Sequence, residues 1–252
     1  MRAYAFLGEA QRPSQAAVVD LVRGQGVDLE PLENGSLDEL ETIAGAGPAL
    51  FFLCGLPYAH LRDAGFPVEP LVAPVAVDAA DGPPVYWSVL VGRHGLEGQT
   101  VDDLGGARLA INHRPSMSGW VLPVGEGLPL ERFAAITETG GHRRSLDRLL
   151  AGDVDAAPID SMVLAAEGRT RPEVLALPRL AAYGPSPSPP VVLVDGDPAL
   201  AERLRSILSG LHRVPAGREA LALGCLARYD AVDDATYDAT RACDRRAASC
   251  TR

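Results

Sequence analysis

An α/β protein of two lobes, each a mostly parallel sheet flanked by helices, is what this sequence predicts, on three observations. Short apolar runs alternate with helix-period segments along most of the 252 residues, the pattern of sheets covered on both faces. The alternation is interrupted by prolines between Pro67 and Pro84 and again between Gly184 and Pro190. These two extended segments flank a central block of about 95 residues, an ordinary domain size. The N-terminal block is too short of strands to complete a sheet, and Val191–Val194 with the helices after it can supply the rest. Residues 1–84 with 188–252 are therefore expected to form lobe 1 and residues 85–187 lobe 2, joined by two hinge crossings.

In order along the chain, Ala3–Leu7 reads as a strand and Ser14–Arg23 as an amphipathic helix with Ala16, Val19 and Val22 near one face. Val27–Leu32 is the next strand. Ser36 and Glu39 have capping-box spacing, which starts a helix that runs to about Ala44. Ala49–Leu53 is the third strand. Pro67, Pro70 and Pro74, then Asp81-Gly82-Pro83-Pro84, exclude helix and read as an extended connection. Val85–Val91 is a long strand, followed by a helix near Val101–Leu104, strand Arg108–Asn112 and a helix from about Ser116. Strand Phe133–Thr137, helix Ser145–Ala151, strand Ala156–Ile159 and helix Ser161–Ala166 complete the central block. Strand Val191–Val194 and helices near Pro198–Leu208 and Pro215–Leu223 come after the second breaker.

Composition narrows the chemistry. All 23 basic residues are arginine, so no lysine is present for a Schiff base or a Walker-type phosphate loop. A net charge of −10 speaks against a nucleic-acid partner. The cluster Arg143, Arg144 and Arg148 reads as a solvated helix face. Cys54, Cys225, Cys243 and Cys250 form no CxxC pair and have no histidine at ligand spacing, so no metal or cofactor is expected. Cys54 reads as a small buried hydrophobe, and Cys243 with Cys250 can bridge in an oxidising compartment. No apolar run of about 18 residues predicts a transmembrane segment. The run Ala3–Leu7 is too short for a secretory h-region. As written the chain reads as cytoplasmic, or extracytoplasmic if a leader has been removed.

The richest segment for chemistry is Asp103-Leu104-Gly105-Gly106-Ala107-Arg108-Leu109-Ala110-Ile111-Asn112, then Pro115-Ser116-Met117-Ser118-Gly119-Trp120. A strand ends at Asn112 and a helix starts among small hydroxyl residues, presenting amides and hydroxyls to an anion. Simple N-capping by Ser116 or Ser118 accounts for the same pattern. The pattern D-L-x-G-x-R-x-A-x-N followed by S-x-S-G resembles the phosphate/phosphite/phosphonate substrate-binding proteins of ABC transporters. Leu56-Pro57-Tyr58-Ala59, Val85–Val91, Gly140-Gly141-His142-Arg143-Arg144-Ser145 and Gly152–Ser161 resemble further motifs of that family, in order. Tyr229-Asp230-Ala231-Val232, with Asp234 and Tyr237, resembles its C-terminal ending.

The resemblance implies a type II periplasmic-binding-protein fold that closes around an oxyanion, with an ABC permease as partner and a monomeric chain. It implies that Ser116, Met117, Ser118 and Gly119 cradle the anion, with Tyr58 donating from the other lobe. Asn112, Tyr86, His142 and Asp160 would line the cleft, Asp160 offering a counter-charge to a cationic substituent such as an amine. The family usually carries a small hydroxyl residue at the Met117 position, so this chain has one donor fewer. Other roles stay open at this stage. Tyr58 can be a packing residue, His142 can bond a backbone carbonyl, and Asp160 can cap the helix at Ser161. Of Tyr86 and Trp87, one is expected in the core. His60, His94 and His212 read as surface residues. The same fold hosts enzymes acting on small anions, for which His142 with Asp160, or His113, would serve as acid and base. A cytoplasmic ligand sensor is the third class.

Overall fold

The structure, a computed structural model, describes residues 1–250. The chain opens with β1 (Arg2–Ala5) and α1 (Arg12–Gly24), a helix begun by Pro13 in its first turn and buried through Val18, Val19 and Val22. Next come β2 (Leu32–Asn34), α2 (Leu40–Ala44), β3 (Ala49–Phe52), α3 (Gly55–Asp63) and β4 (Val68–Ala76). β5 (Val85–Gly92) and β6 (Arg108–Ile111) lead to a π-helical turn, Met117–Val121, that continues directly into α4 (Leu122–Gly125). β7 (Ala135–Glu138), α5 (His142–Ala151), β8 (Ala156–Asp160), α6 (Ser161–Gly168) and β9 (Arg179–Pro187) follow. The chain ends with β10 (Val191–Val194), α7 (Pro198–Gly210), α8 (Pro215–Ala222), β11 (Leu226–Ala231) and α9 (Asp238–Cys250).

These elements form two compact units, Met1–Val85 with Pro187–Asp238, and Tyr86–Ser186 with the segment from Ala239 onward. The chain thus passes between them three times rather than the expected two, and the C-terminal helix groups with the second unit instead of the first. The cause is local packing: Cys243 and Ala247 of α9 are buried, and the Cys243 thiol donates to the Val121 carbonyl (3.5 Å).

The first unit carries a six-stranded sheet in the order β11-β4-β10-β3-β1-β2. The β2-β1-β3 portion is parallel, as the alternating strand and helix pattern requires. β10 enters antiparallel between β3 and β4, and β11 adds antiparallel to the outside of β4, so the sheet as a whole is mixed. Every residue of β10 is buried, as expected for an uninterrupted apolar strand in a sheet interior. Pro67 precedes β4, and the extended segment is a strand of the sheet rather than only a connection. Pro70 and Pro74 lie within β4, and the ladder shifts register between Val191 and Val192, opposite Pro70. A bulge accommodates a residue that cannot donate to the ladder.

The second unit carries a five-stranded sheet in the order β7-β6-β8-β5-β9. Here β7, β6 and β8 are parallel and β5 is antiparallel to β8. Val89, Val91, Ala110, Ala157 and Ile159 cover one sheet face and pack against Leu146, Leu149 and Leu164. The second breaker segment is also structured, since β9 runs to Pro187.

Two further expectations are corrected. Ser36 makes no side-chain cap, and the helix it was expected to start is a short 3-10 turn leading into α2. The strand expected over Val27–Leu32 pairs only from Leu32, opposite Ala3. Cys54 is half-buried at the start of α3, and no disulfide is formed among the described residues, Cys243 and Cys250 included.

Candidate anion-binding turn

The site is built where β6 ends. The Thr139 amide and hydroxyl both donate to the Ile111 carbonyl (2.8 and 3.0 Å), and the Gly140 amide donates to the Asn112 carbonyl (2.7 Å). Gly140 has φ of +82°, a left-handed conformation that favours glycine. These bonds tie the loop before α5 to the end of β6. They place His142, the first residue of α5, beside the turn that follows Asn112.

That turn is held from within. The Ser116 hydroxyl accepts from the Gly119 amide (3.0 Å) and from Asn112 Nδ2 (2.8 Å). The Ser116 carbonyl accepts from the Trp120 and Val121 amides, the second bond being the wide π-type turn. First-turn amides have no acceptor within their own helix, and here those are the amides of Met117 and Ser118. A Cβ on Gly119 would overlap the Asn112 amide, so only glycine permits this approach. The Ser88 hydroxyl of β5 donates to the Ser118 carbonyl (2.6 Å) from beneath.

His142 closes the cluster. Its Nε2 lies 2.9 Å from Ser118 Oγ and 3.4 Å from Asn112 Nδ2. Burial, reinforced by the neighbouring His113 ring, pushes its pKa down to about 4, with the Pro158 carbonyl acting weakly the other way. His113 is half-buried, its amide donates to Asn112 Oδ1 (3.0 Å), and desolvation lowers its pKa as well. Beside the turn, the Arg114 guanidinium stacks over Trp120 (4.5 Å to the ring centre) and pairs with Glu138 (3.4 Å).

Asn112, Ser116, Met117, Ser118, Gly119 and His142 therefore lie together around the turn. Met117 is 2% exposed, so the turn gains its amide there and no hydroxyl. Asp160 is buried and acts as a cap: Oδ1 accepts from the Met162 and Val163 amides (2.8 and 3.2 Å). Burial raises its pKa to about 6 against those two bonds. Among the described residues it makes no hydrogen bond to His142, so the expected acid–base pair is not formed. Tyr86 is buried and shares a strand face with Ser88, while Trp87 is 42% exposed. Sequence reasoning missed Ser88, whose place opposite Asp160 in the β5–β8 ladder depends on distant pairing.

Tyr58 belongs to the first unit. Its hydroxyl donates to Asp234 Oδ1 (2.6 Å), its ring meets Tyr237 edge-on (4.9 Å), and the Tyr237 hydroxyl donates to the Ser188 carbonyl (3.0 Å). The structure thus joins two segments singled out separately in the sequence.

A family profile described as the periplasmic substrate-binding protein of phosphonate ABC transporters matches residues 49–237. No curated protein matches the chain by sequence. Among solved structures, a binding-protein component of an ABC phosphonate transporter from Pseudomonas aeruginosa superposes with a TM-score of 0.81 at 14% identity, covering 99% of this chain and 87% of its own. PhnD1 from Prochlorococcus marinus, in complex with methylphosphonate, gives 0.80 at 14% identity, covering 98% and 97%. A Xanthomonas citri protein bound to ATP gives 0.67 at 17% identity, covering 100% and 97%. At these identities the likeness shows the fold, that of two-lobed periplasmic binding proteins. No described helix is long and apolar enough to cross a membrane. The family is periplasmic, so the cytoplasmic expectation finds no support in it. With three quarters of its length matched, the chain belongs to the phosphonate substrate-binding family of ABC transporters, whose members bind a small ligand for a permease.

Proposed function

We propose that this chain captures a small phosphonate-like oxyanion, a phosphonate, phosphite or phosphate, on the turn Ser116–Gly119 and delivers it to an ABC permease. The observation that carries this reading is the convergence of Ser116, Ser118, Asn112 and His142 on a helix start whose Gly119 leaves no room for a Cβ. Amides of a first helical turn, with the helix dipole behind them, favour a bound anion despite the chain's net charge of −10. Tyr58 is kept in the proposal as a donor from the first unit, which asks its hydroxyl to exchange Asp234 for the anion. Asp160 is kept as the counter-charge for an aminoalkyl substituent.

The test is thermal unfolding with phosphate, phosphite, methylphosphonate, 2-aminoethylphosphonate, sulfate and small carboxylates. A ligand at a hundred times its dissociation constant adds about 2.7 kcal/mol. The expected outcome is a selective rise in melting temperature with one or more phosphorus oxyanions, reduced in Ser118→Ala and Tyr58→Phe. A shift with carboxylates alone, or with nothing, would sink the assignment. An advantage of 2-aminoethylphosphonate over methylphosphonate that disappears in Asp160→Asn would establish the counter-charge.

A further inference from the structure

We infer that the Ser118–His142 pair makes this turn selective for oxyanions that carry an ionisable proton near neutral pH, setting phosphonates, phosphites and phosphates above sulfate. The inference rests on the function proposed above and adds the basis of ligand choice.

Its basis is the direction of the hydrogen bonds. Asn112 Nδ2, a donor only, lies 3.4 Å from His142 Nε2, and Ser118 Oγ lies 2.9 Å from it. On the far side of the ring, Nδ1 is buried against the Pro158 carbonyl, short of a well-formed hydrogen bond. A donor facing Nε2 and an acceptor facing Nδ1 fix the neutral tautomer with its proton on Nδ1. Ser118 must then donate to Nε2, which turns the lone pairs of Oγ toward the occupant of the turn. A ligand P–O–H can donate to that oxygen. A sulfate oxygen cannot, and meets a lone pair.

Sulfate could be received only if His142 took a proton and Ser118 reversed. The surroundings oppose that. His142 is faced by the His113 ring from the loop after β6, and Glu138 acts on His113. Arg143 and Arg144 follow it on α5, and Asp160, on the strand that supplies the Pro158 carbonyl, is committed to capping α6. The bound state therefore holds one ionisable proton, on the ligand oxygen that faces Ser118 Oγ, besides the hydroxyl hydrogen that Ser118 donates to His142 Nε2. A phosphonate monoanion brings that proton; a phosphonate dianion must draw it from solvent.

Calorimetric titration of the full chain with methylphosphonate and sulfate, in two buffers of different ionisation enthalpy, tests this. Methylphosphonate is expected to bind roughly tenfold to a hundredfold more tightly than sulfate at neutral pH, the range set by one unmatched buried polar contact. Above the ligand's second ionisation, binding should take up about one proton per ligand by the balance just given. His142→Leu removes the acceptor and leaves the Ser118 hydroxyl free to donate to the ligand, so it should bring the two affinities within a few-fold and abolish the uptake. Equal binding of sulfate, an unchanged preference in folded His142→Leu, or no proton taken up by the wild type would each overturn the inference while leaving phosphonate binding intact. If the variant fails to fold, the wild-type proton count decides. If the wild type binds no phosphorus oxyanion, the proposed function fails and this inference fails with it.

Discussion

Asp160 and His142 are buried ionisable groups displaced in opposite directions, so their effects on stability oppose each other. Asp160, raised to about 6, holds its proton more tightly in the folded chain than in the unfolded one. Its contribution to stability therefore falls as pH rises from about 4 to about 6. His142, lowered to about 4, resists protonation in the fold, so its contribution falls as pH drops from about 6.5 to about 4. Asp160→Asn keeps a good cap and removes one titration. Urea unfolding between pH 4 and 6.5 should then show a steeper acid-side loss than the wild type, by on the order of 2 kcal/mol across the window. A variant slope equal to the wild-type slope would refute the opposition. At this scale, what is local in sequence was legible. Asn112, Ser116, Ser118 and Gly119 lie within eight positions of one another and their pattern survives folding intact. Ser88 was illegible because only the β5–β8 ladder brings it under Ser118. Of the two roles open to Asp160, the cap is made through Oδ1 alone, which leaves Oδ2 for the other.

Among the elements, the helical segment from Met117 to Gly125 is clamped at both ends by glycine contacts. Gly119→Ala would drive a Cβ into the Asn112 amide, and Gly125→Ala would place one 2.7 Å from Cys243 Sγ and 2.9 Å from the Cys243 carbonyl. Overpacking of this kind costs about 1–3 kcal/mol. Chemical denaturation should show the loss in both variants, but only Gly119→Ala should also weaken anion binding, because α9 touches the other end of the segment. Elements with a strong apolar signature matched closely. The apolar run Val191–Val194 coincides with β10, and the runs that mark β6, β8 and α7 differ from the observed elements at one end only. The misses have physical reasons. β4 was hidden by its prolines, which a bulged ladder tolerates. α9 was hidden by small buried residues, Thr240, Cys243 and Ala247, among many charges. Val27 and Leu29 marked burial, but the ladder begins only at Leu32 because apolar runs report burial and not pairing.

For the whole molecule, a net charge of −10 makes long-range forces work against encounter with the proposed anionic ligand. Raising ionic strength shortens the Debye length to about 8 Å at 0.15 M and should speed association a few-fold, measured by stopped-flow with a salt whose anion does not compete. An association rate that falls with salt would mean that the local field of the turn governs approach. The order of strands in the first sheet has a consequence for how the chain is made. β10 lies between β3 and β4, yet leaves the ribosome only after the entire run Tyr86–Ser186. Until then β3 and β4 lack their shared neighbour, and the N-terminal segment cannot close its sheet. The sheet of the second unit, whose strands all precede β10, is free to form meanwhile, with α9 added last. Assembly from the N-terminus thus reverses the order of synthesis for the two sheets, and the sequence separation of β3 from β10 predicts that completion of the first sheet is the slower event.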